Sequence, residues 1–227
     1  MRVGILQSNY LPWKGYFSII GDVDLFVFHD DLQYTKDDWR NRNKIKTPSG
    51  AQWITIPCGR NERRLICEVS LTDCTWQKKH WNLIKENYRK APYFKKYAPF
   101  FEEIFLGQNW TNLSTMNQHI IRKISLELLD INTKFVDSRD YSLEESKGKR
   151  VIELLKKVGA KSYLSGPSAK SYLLESDFWE EKIVLDWADY SNYRPYHQLW
   201  GSFIHEVSII DVLLNCGENS HKYIFNK

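Results

Sequence analysis

The chain has 227 residues, 42% hydrophobic, 26% charged and 15% aromatic, a composition that excludes disordered, collagen-like and low-complexity architectures and favours one domain with a real core. Thirty-two basic residues against 28 acidic ones leave a formal net charge of +4, too even a balance to mark a nucleic-acid binder. Cys58, Cys67, Cys74 and Cys216 form no CxxC pair, the sequence runs from Met1 straight into VGILQ without a leader-like segment, and no apolar run approaches the ~20 residues that span a bilayer. Free thiols and a cytoplasmic location are therefore expected.

VGIL (3–6) predicts a buried strand, and QSNYLPWKGYF (7–17) follows it as a turn into a short helix ending near Gly21. Open α/β sheets bind ligands at strand ends. Gln7 and Asn9 offer amides there, and Tyr10, Trp13 and Tyr16 offer faces to a sugar or base ring; a turn merely plugged by aromatics is the plainer alternative. LFVF (25–28) predicts a second strand, and HDDLQYTK (29–36) sits at its end. Asp31 is expected to face that end as a general base, Asp30 to be solvated, and Gln33 and Lys36 to bind substrate in the same loop. In WRNRNKIK (39–46) the cations recur at every second position, so an extended ribbon puts Arg40, Arg42, Lys44 and Lys46 on one face. That face suits a phosphate or diphosphate, although a charged edge strand would show the same spacing; Asn41 and Asn43 between the cations favour the anion site.

WITI (53–56) predicts a further strand, whereas residues 76–130 carry helix signals only: Trp76, His80, Ile84 and Tyr88 at i+4 steps, then Ile120, Ile121, Ile124 and Leu128. His80 in that aromatic stripe is either a packed core ring or a base. KFVD (134–137), KSYL (161–164) and IVLDW (183–187) predict strands, and Val151 to Val158 an amphipathic helix stopped by Gly159. Ser165 and Gly166 open the turn SGPS, which serves as an anion-binding helix start or as a plain cap. His197 and His205 lack partners at ligand spacing, so no metal is expected, and Walker A, GxGxxG and GxSxG motifs are absent. Strand and helix alternate at both ends of the chain. The expected fold is α/β, a parallel-sheet core of βαβ units in one domain over 1–227 with a helical insertion or lobe around 76–130.

QSNYLPWKGYF, DDLQYTK, NRNKIK before Gly50 and WITIP, Trp76 with His80, YRKAPYF, GAKSYLSG with Tyr172, PYHQLW and SIIDVLLNCG together resemble the WbqC-like protein family over almost the whole length. Ser8 stands where that family usually has proline and His29 where leucine is frequent, which argues against a catalytic His29. The resemblance implies surface-polysaccharide biosynthesis and work on sugar nucleotides. Transfer of an acyl or aminoacyl group, glycyl among them, to the amine of a nucleotide-linked amino sugar is the expectation. Arg42, Lys44 and Lys46 would hold the diphosphate, Trp13 and Tyr16 would stack, and Asp31 or His80 would take the amine proton. No tightly bound cofactor is expected, only an activated acyl donor such as a thioester as co-substrate. The expected partners are a small-molecule sugar nucleotide and either a second copy of the chain or other polysaccharide enzymes, with neither nucleic acid nor membrane insertion. A nucleotidyltransferase-like enzyme, which would lack the HxGH histidines in YLPWKGY, and a non-catalytic sugar-nucleotide-binding protein are the rivals.

Overall fold

The computed structural model describes residues 1–225. Its centre is β1 (Arg2–Leu6), flanked by β2 (Leu25–Phe28) on one side and β6 (Ser162–Ser165) on the other; β5 (Lys134–Asp137) extends the sheet beyond β2 and β7 (Val184–Trp187) beyond β6. Every pairing in the order β5-β2-β1-β6-β7 is parallel. Because side chains alternate across a strand, Val3, Ile5, Leu25, Val27 and Tyr163 join one core, while Phe26, Phe28 and Leu164 join the other. Both faces are thereby covered, as an all-parallel sheet requires, which explains why LFVF is buried at all four positions. Gly4 lets α1 (Lys14–Gly21) come close: a Cβ there would stand 3.2 Å from Ile19 and 3.3 Å from Phe26.

One face carries α5 (Lys147–Lys157) and α6 (Glu175–Glu180). The other carries α1, α2 (Thr75–Tyr88), α3 (Phe94–Leu106), α4 (Leu113–Lys123) with its π turn at 124–128, and α7 (Ile209–Cys216), followed by the single turn α8 (His221–Ile224). The helices between 75 and 128 bury Trp81, Tyr88, Phe101, Phe105 and Trp110 in the same cluster as Tyr10, Phe17 and Phe26, so they share the main core.

Residues 42–55 stand apart from the sheet as an antiparallel hairpin, β3 (Arg42–Thr47) with β4 (Gly50–Thr55). Its turn needs Gly50, whose φ of +100° disfavours a side chain, and the Thr47 hydroxyl closes it on the Gly50 carbonyl at 2.9 Å. Between β7 and α7, residues 188–207 form a strap with neither helix nor strand. Asp211 of α7 anchors it: Oδ1 accepts from the Tyr196 hydroxyl at 2.7 Å and from Gln198 Nε2 at 2.9 Å. Among the described residues no helix is long and apolar enough to cross a membrane.

The chain builds outward from β1 through β2 to β5, then crosses back to start β6 on β1's other side. The strand order therefore reverses between β1 and β6. The crevice beyond the carboxyl ends of such strands is where sheets of this kind bind ligands.

Candidate functional site

At that reversal a cavity of about 280 Å³ opens, with Gln7, Asn9, His29, Arg40, Lys147 and Tyr172 supplying its polar lining and Ile5, Leu6, Val151 and Tyr163 among its apolar wall. Its floor is fixed by Asp30. That carboxylate is fully buried, contrary to the solvated position expected for it, because Oδ1 accepts the Ser8 backbone N–H at 2.7 Å and Oδ2 accepts from Ser114 Oγ at 2.5 Å and Gln118 Nε2 at 3.1 Å. Hydrogen bonds to a charged acceptor offset the cost of its burial. They also bend the chain after β1. The next residues make a tight turn through Leu11 at φ 44°, braced by Asn43 Nδ2 against the carbonyls of Tyr10 (3.1 Å) and Leu11 (2.8 Å). Asn41 similarly binds the Ile56 carbonyl at 3.0 Å. The two asparagines among the cations thus hold backbone in place.

Gln7 is held at both ends. Its carbonyl accepts the Tyr16 hydroxyl at 3.0 Å, and Oε1 accepts from Arg40, whose other amine pairs with Asp38 Oδ2 at 2.5 Å. Asn9 Oδ1 is buried without a partner among the described residues. From the other side α5 brings in Lys147 and, one turn on, Val151. Lys147 is exposed, sits at φ 51° and makes no ion pair or hydrogen bond through its ammonium among the described residues.

His29 and Asp31 meet α5 at Arg150. The guanidinium pairs with Asp31 Oδ2, Ser138 Oγ donates to Asp31 Oδ1, and Arg150 Nε lies 3.2 Å from His29 Nε2. Asp31 is thus engaged by Arg150 and Ser138 and is absent from the cavity lining, while its neighbour His29 is in it. Burial pushes the His29 imidazole below its ordinary range and Arg150 adds to that, against the opposing pull of Asp31. The ring is neutral, and since a guanidinium only donates, Nε2 is its acceptor and Nδ1 carries the proton.

Other expected site residues lie elsewhere. Tyr10 is fully buried; its hydroxyl bonds His80 Nδ1 at 2.8 Å, and Trp76 meets both rings edge-on. Burial lowers His80 to about 4 despite a hydrogen bond to the Thr55 backbone, which makes it a neutral core ring. Trp13 packs edge-on against Tyr190 and Tyr193 with ring centres 4.9 and 5.9 Å away, and it lines a second, smaller cavity. Arg42 and Lys44 lie over the Trp53 ring at 4.2 and 5.0 Å. Lys46 does not share their exposure: it is 1% exposed, and its ammonium binds Gln198 Oε1 at 2.9 Å and the Ser202 carbonyl beneath the strap. Gln33 bridges to Leu65, and Lys36 pairs with Asp37 at 3.4 Å and bonds Glu62 through its backbone; neither lines the crevice. Ser165 and Gly166 end β6 at the right edge, yet they lead into a 3-10 turn of five residues instead of an α-helix, and Ser165 is buried with its carbonyl bonded to Ala188.

Lys147, Arg150 and Tyr172 have no role that the sequence pattern alone assigns. The run KGKR opening an amphipathic helix is the available signal for the first two; for Tyr172, on an irregular segment, it is the place after GAKSYLSG in the family resemblance. No group of three or more potential metal ligands occurs among the described residues.

The model of the WbqC-like protein family matches residues 7–223. The uncharacterized protein Rv1507c of Mycobacterium tuberculosis is 44% identical over 226 residues, which covers 98% of this chain and 97% of that protein. No solved structure matches the chain.

Proposed function

The chain belongs to the WbqC-like protein family, and from that premise we propose that it transfers an acyl or aminoacyl group to the amine of a nucleotide-linked amino sugar in surface-polysaccharide biosynthesis. The observation that carries the reading is the crevice at the strand-order reversal, walled by amides, an ammonium that is unpaired among the described residues, and a tyrosine. The diphosphate lies against Lys147, Arg40 and the first turn of α5, where Ser146 makes no side-chain cap and the positive end of the helix favours an anion. The backbone strain of Lys147 at φ 51° belongs to such a role. Tyr172 flanks the sugar.

In the reaction the amine nitrogen attacks the acyl carbon of an activated donor such as a thioester. The carbon–sulfur bond breaks, the thiolate leaves, and the proton shed by nitrogen passes to it through water. Positioning of the two reactants is the main contribution of the site. His29, with Nε2 engaged by Arg150, offers Nδ1–H as a donor to the carbonyl oxygen as charge builds there. Asp31 acts through Arg150 and His29 as a positioning residue instead of as the proton acceptor.

The test is mass-spectrometric detection of acylated product from amino-sugar nucleotides and several thioester or aminoacyl donors, with His29→Ala expected to lower kcat and Lys147→Ala to raise KM. One observation favours a second reading, a non-catalytic sugar-nucleotide-binding protein: among the described residues no carboxylate lines the crevice. Tight sugar-nucleotide binding without product from any donor would establish that alternative.

A further inference from the structure

Across Asn9 from the crevice lies a second cavity of about 240 Å³, lined by Asn9, Pro12, Trp13, Trp39, Asn43 and Glu206. Its walls are flat and largely apolar, and they are stiffened from behind: Trp13 by Tyr190 and Tyr193, and Trp39 by Trp53 at 5.3 Å between ring centres. The charged group left for a ligand is an acceptor. Asn43 commits its amide to the Tyr10 and Leu11 carbonyls and its oxygen to the Lys44 N–H, whereas Asn9 Oδ1 has no partner and the Glu206 carboxylate makes no hydrogen bond or ion pair among the described residues. Two indole walls with a free carboxylate call for a planar ring that presents N–H groups side by side.

Among nucleobases that demand is selective. Guanine carries N1–H and the exocyclic N2 amine on adjacent atoms, so one carboxylate accepts from both. Adenine and cytosine pair an amine with an acceptor nitrogen, and uracil and thymine flank their single N–H with two carbonyls that a carboxylate repels. We propose that this second cavity is the base subsite of the crevice and that it selects guanine, stacked on Trp13 and Trp39 with its donor edge on Glu206. The inference rests on the nucleotide-linked substrate proposed for the crevice: the diphosphate at Lys147 and Arg40 and the base by Trp39 are then joined by a ribose passing Asn9, the residue common to both cavities.

Titration calorimetry with GDP, ADP, UDP and dTDP tests it. GDP should bind about tenfold to a hundredfold more tightly than the other three, the discrimination that one bidentate base contact provides. Glu206→Gln should bring all four to within about threefold of one another, and Trp39→Ala should weaken all four without changing their order. Glu206 is exposed and Trp39 is 40% exposed, so both variants should keep the wild-type thermal midpoint without ligand. Equal wild-type affinities, or a guanine preference that survives Glu206→Gln, would overturn the guanine assignment while leaving nucleotide binding intact. Failure of all four diphosphates to bind at millimolar concentration would overturn the nucleotide-linked substrate itself.

Discussion

Arg150 Nε stands 3.2 Å from Nε2 of His29, and the same guanidinium holds Asp31 through a second nitrogen. One arginine on α5 therefore sets the tautomer of a crevice histidine and neutralises the carboxylate beside it. Burial and Arg150 keep His29 low, and Asp31 pulls it the other way. Arg150→Gln removes one lowering influence and leaves Asp31 in place. The His29 imidazole is then expected to titrate at higher pH than in the wild type, as read by NMR; an unchanged or lower titration would show that the arginine does not govern this ring.

Asp30 is a scaffold residue, and its replacement should be felt in stability. Asp30→Ala strands the Ser8 N–H, the Ser114 hydroxyl and the Gln118 amide in the interior. Loss of a buried, hydrogen-bonded carboxylate costs roughly 3 kcal/mol or more. Urea denaturation should show that loss, and Asp30→Asn, which keeps an acceptor for Ser8, should cost less.

The cations of β3 and α5 separate by the same logic. Lys147 is exposed and is proposed to meet the diphosphate, so Lys147→Ala should weaken a nucleotide diphosphate by about tenfold to a hundredfold, the worth of a charge-assisted contact, with an unchanged thermal midpoint. Lys46→Ala should do the reverse. Its buried stem and its bonds to Gln198 and Ser202 hold the strap, so stability should fall while diphosphate affinity changes only through unfolding.

How far these roles can be read from the sequence differs by element. Strands such as LFVF and VGIL are legible because a parallel sheet buries both faces and leaves a short unbroken apolar run. Gln7 and Asn9 are legible because they come directly after such a run. Spacing alone places Arg42, Lys44 and Lys46 on one face, but it cannot say that residues 188–207 fold back over one end of it and bury Lys46. The Arg150–Asp31 pair, 119 positions apart, exists only once α5 packs beside β2. Departure from the family pattern argues against His29, whereas its place in the crevice comes from its position at the end of β2. The β3–β4 hairpin stands outside the main sheet, its two runs paired with each other across a local turn.

Acid should weaken the fold through His80. In the folded state its ring is lowered to about 4, so between that value and its ordinary 6.5 the unfolded chain binds the proton more readily. Stability from this residue is full above pH 6.5 and is lost as pH falls towards 4, by up to roughly 3 kcal/mol. His29, also lowered, adds a contribution of the same sign. Denaturation midpoints measured from pH 7 to pH 4 should fall, and His80→Gln should fall less steeply.

Lys14 provides the converse test, at alkaline pH. The residue is 2% exposed, its ammonium has no hydrogen-bond partner among the described residues, and that ammonium lies 4.5 Å from the centre of the Tyr193 ring, with Tyr196 and Phe203 at 5.5 and 5.8 Å. The aromatic faces attract the cation but do not replace its hydration. Burial consequently lowers the amine to about 8, although Asp211 and Cys216 oppose the shift. A lysine whose folded value lies below its unfolded 10.5 makes the protein gain stability as pH rises between the two, because the unfolded chain holds the proton more tightly there. Lys14→Met fills the same volume without the charge. It should be more stable than the wild type at pH 7 by about 1 to 3 kcal/mol, and the difference should shrink as pH climbs from about 8 towards 9.5. Comparing variant with wild type cancels the tyrosines and cysteines that titrate in both. A Lys14→Met protein less stable at pH 7 would mean that the three rings more than compensate the desolvation of the ammonium.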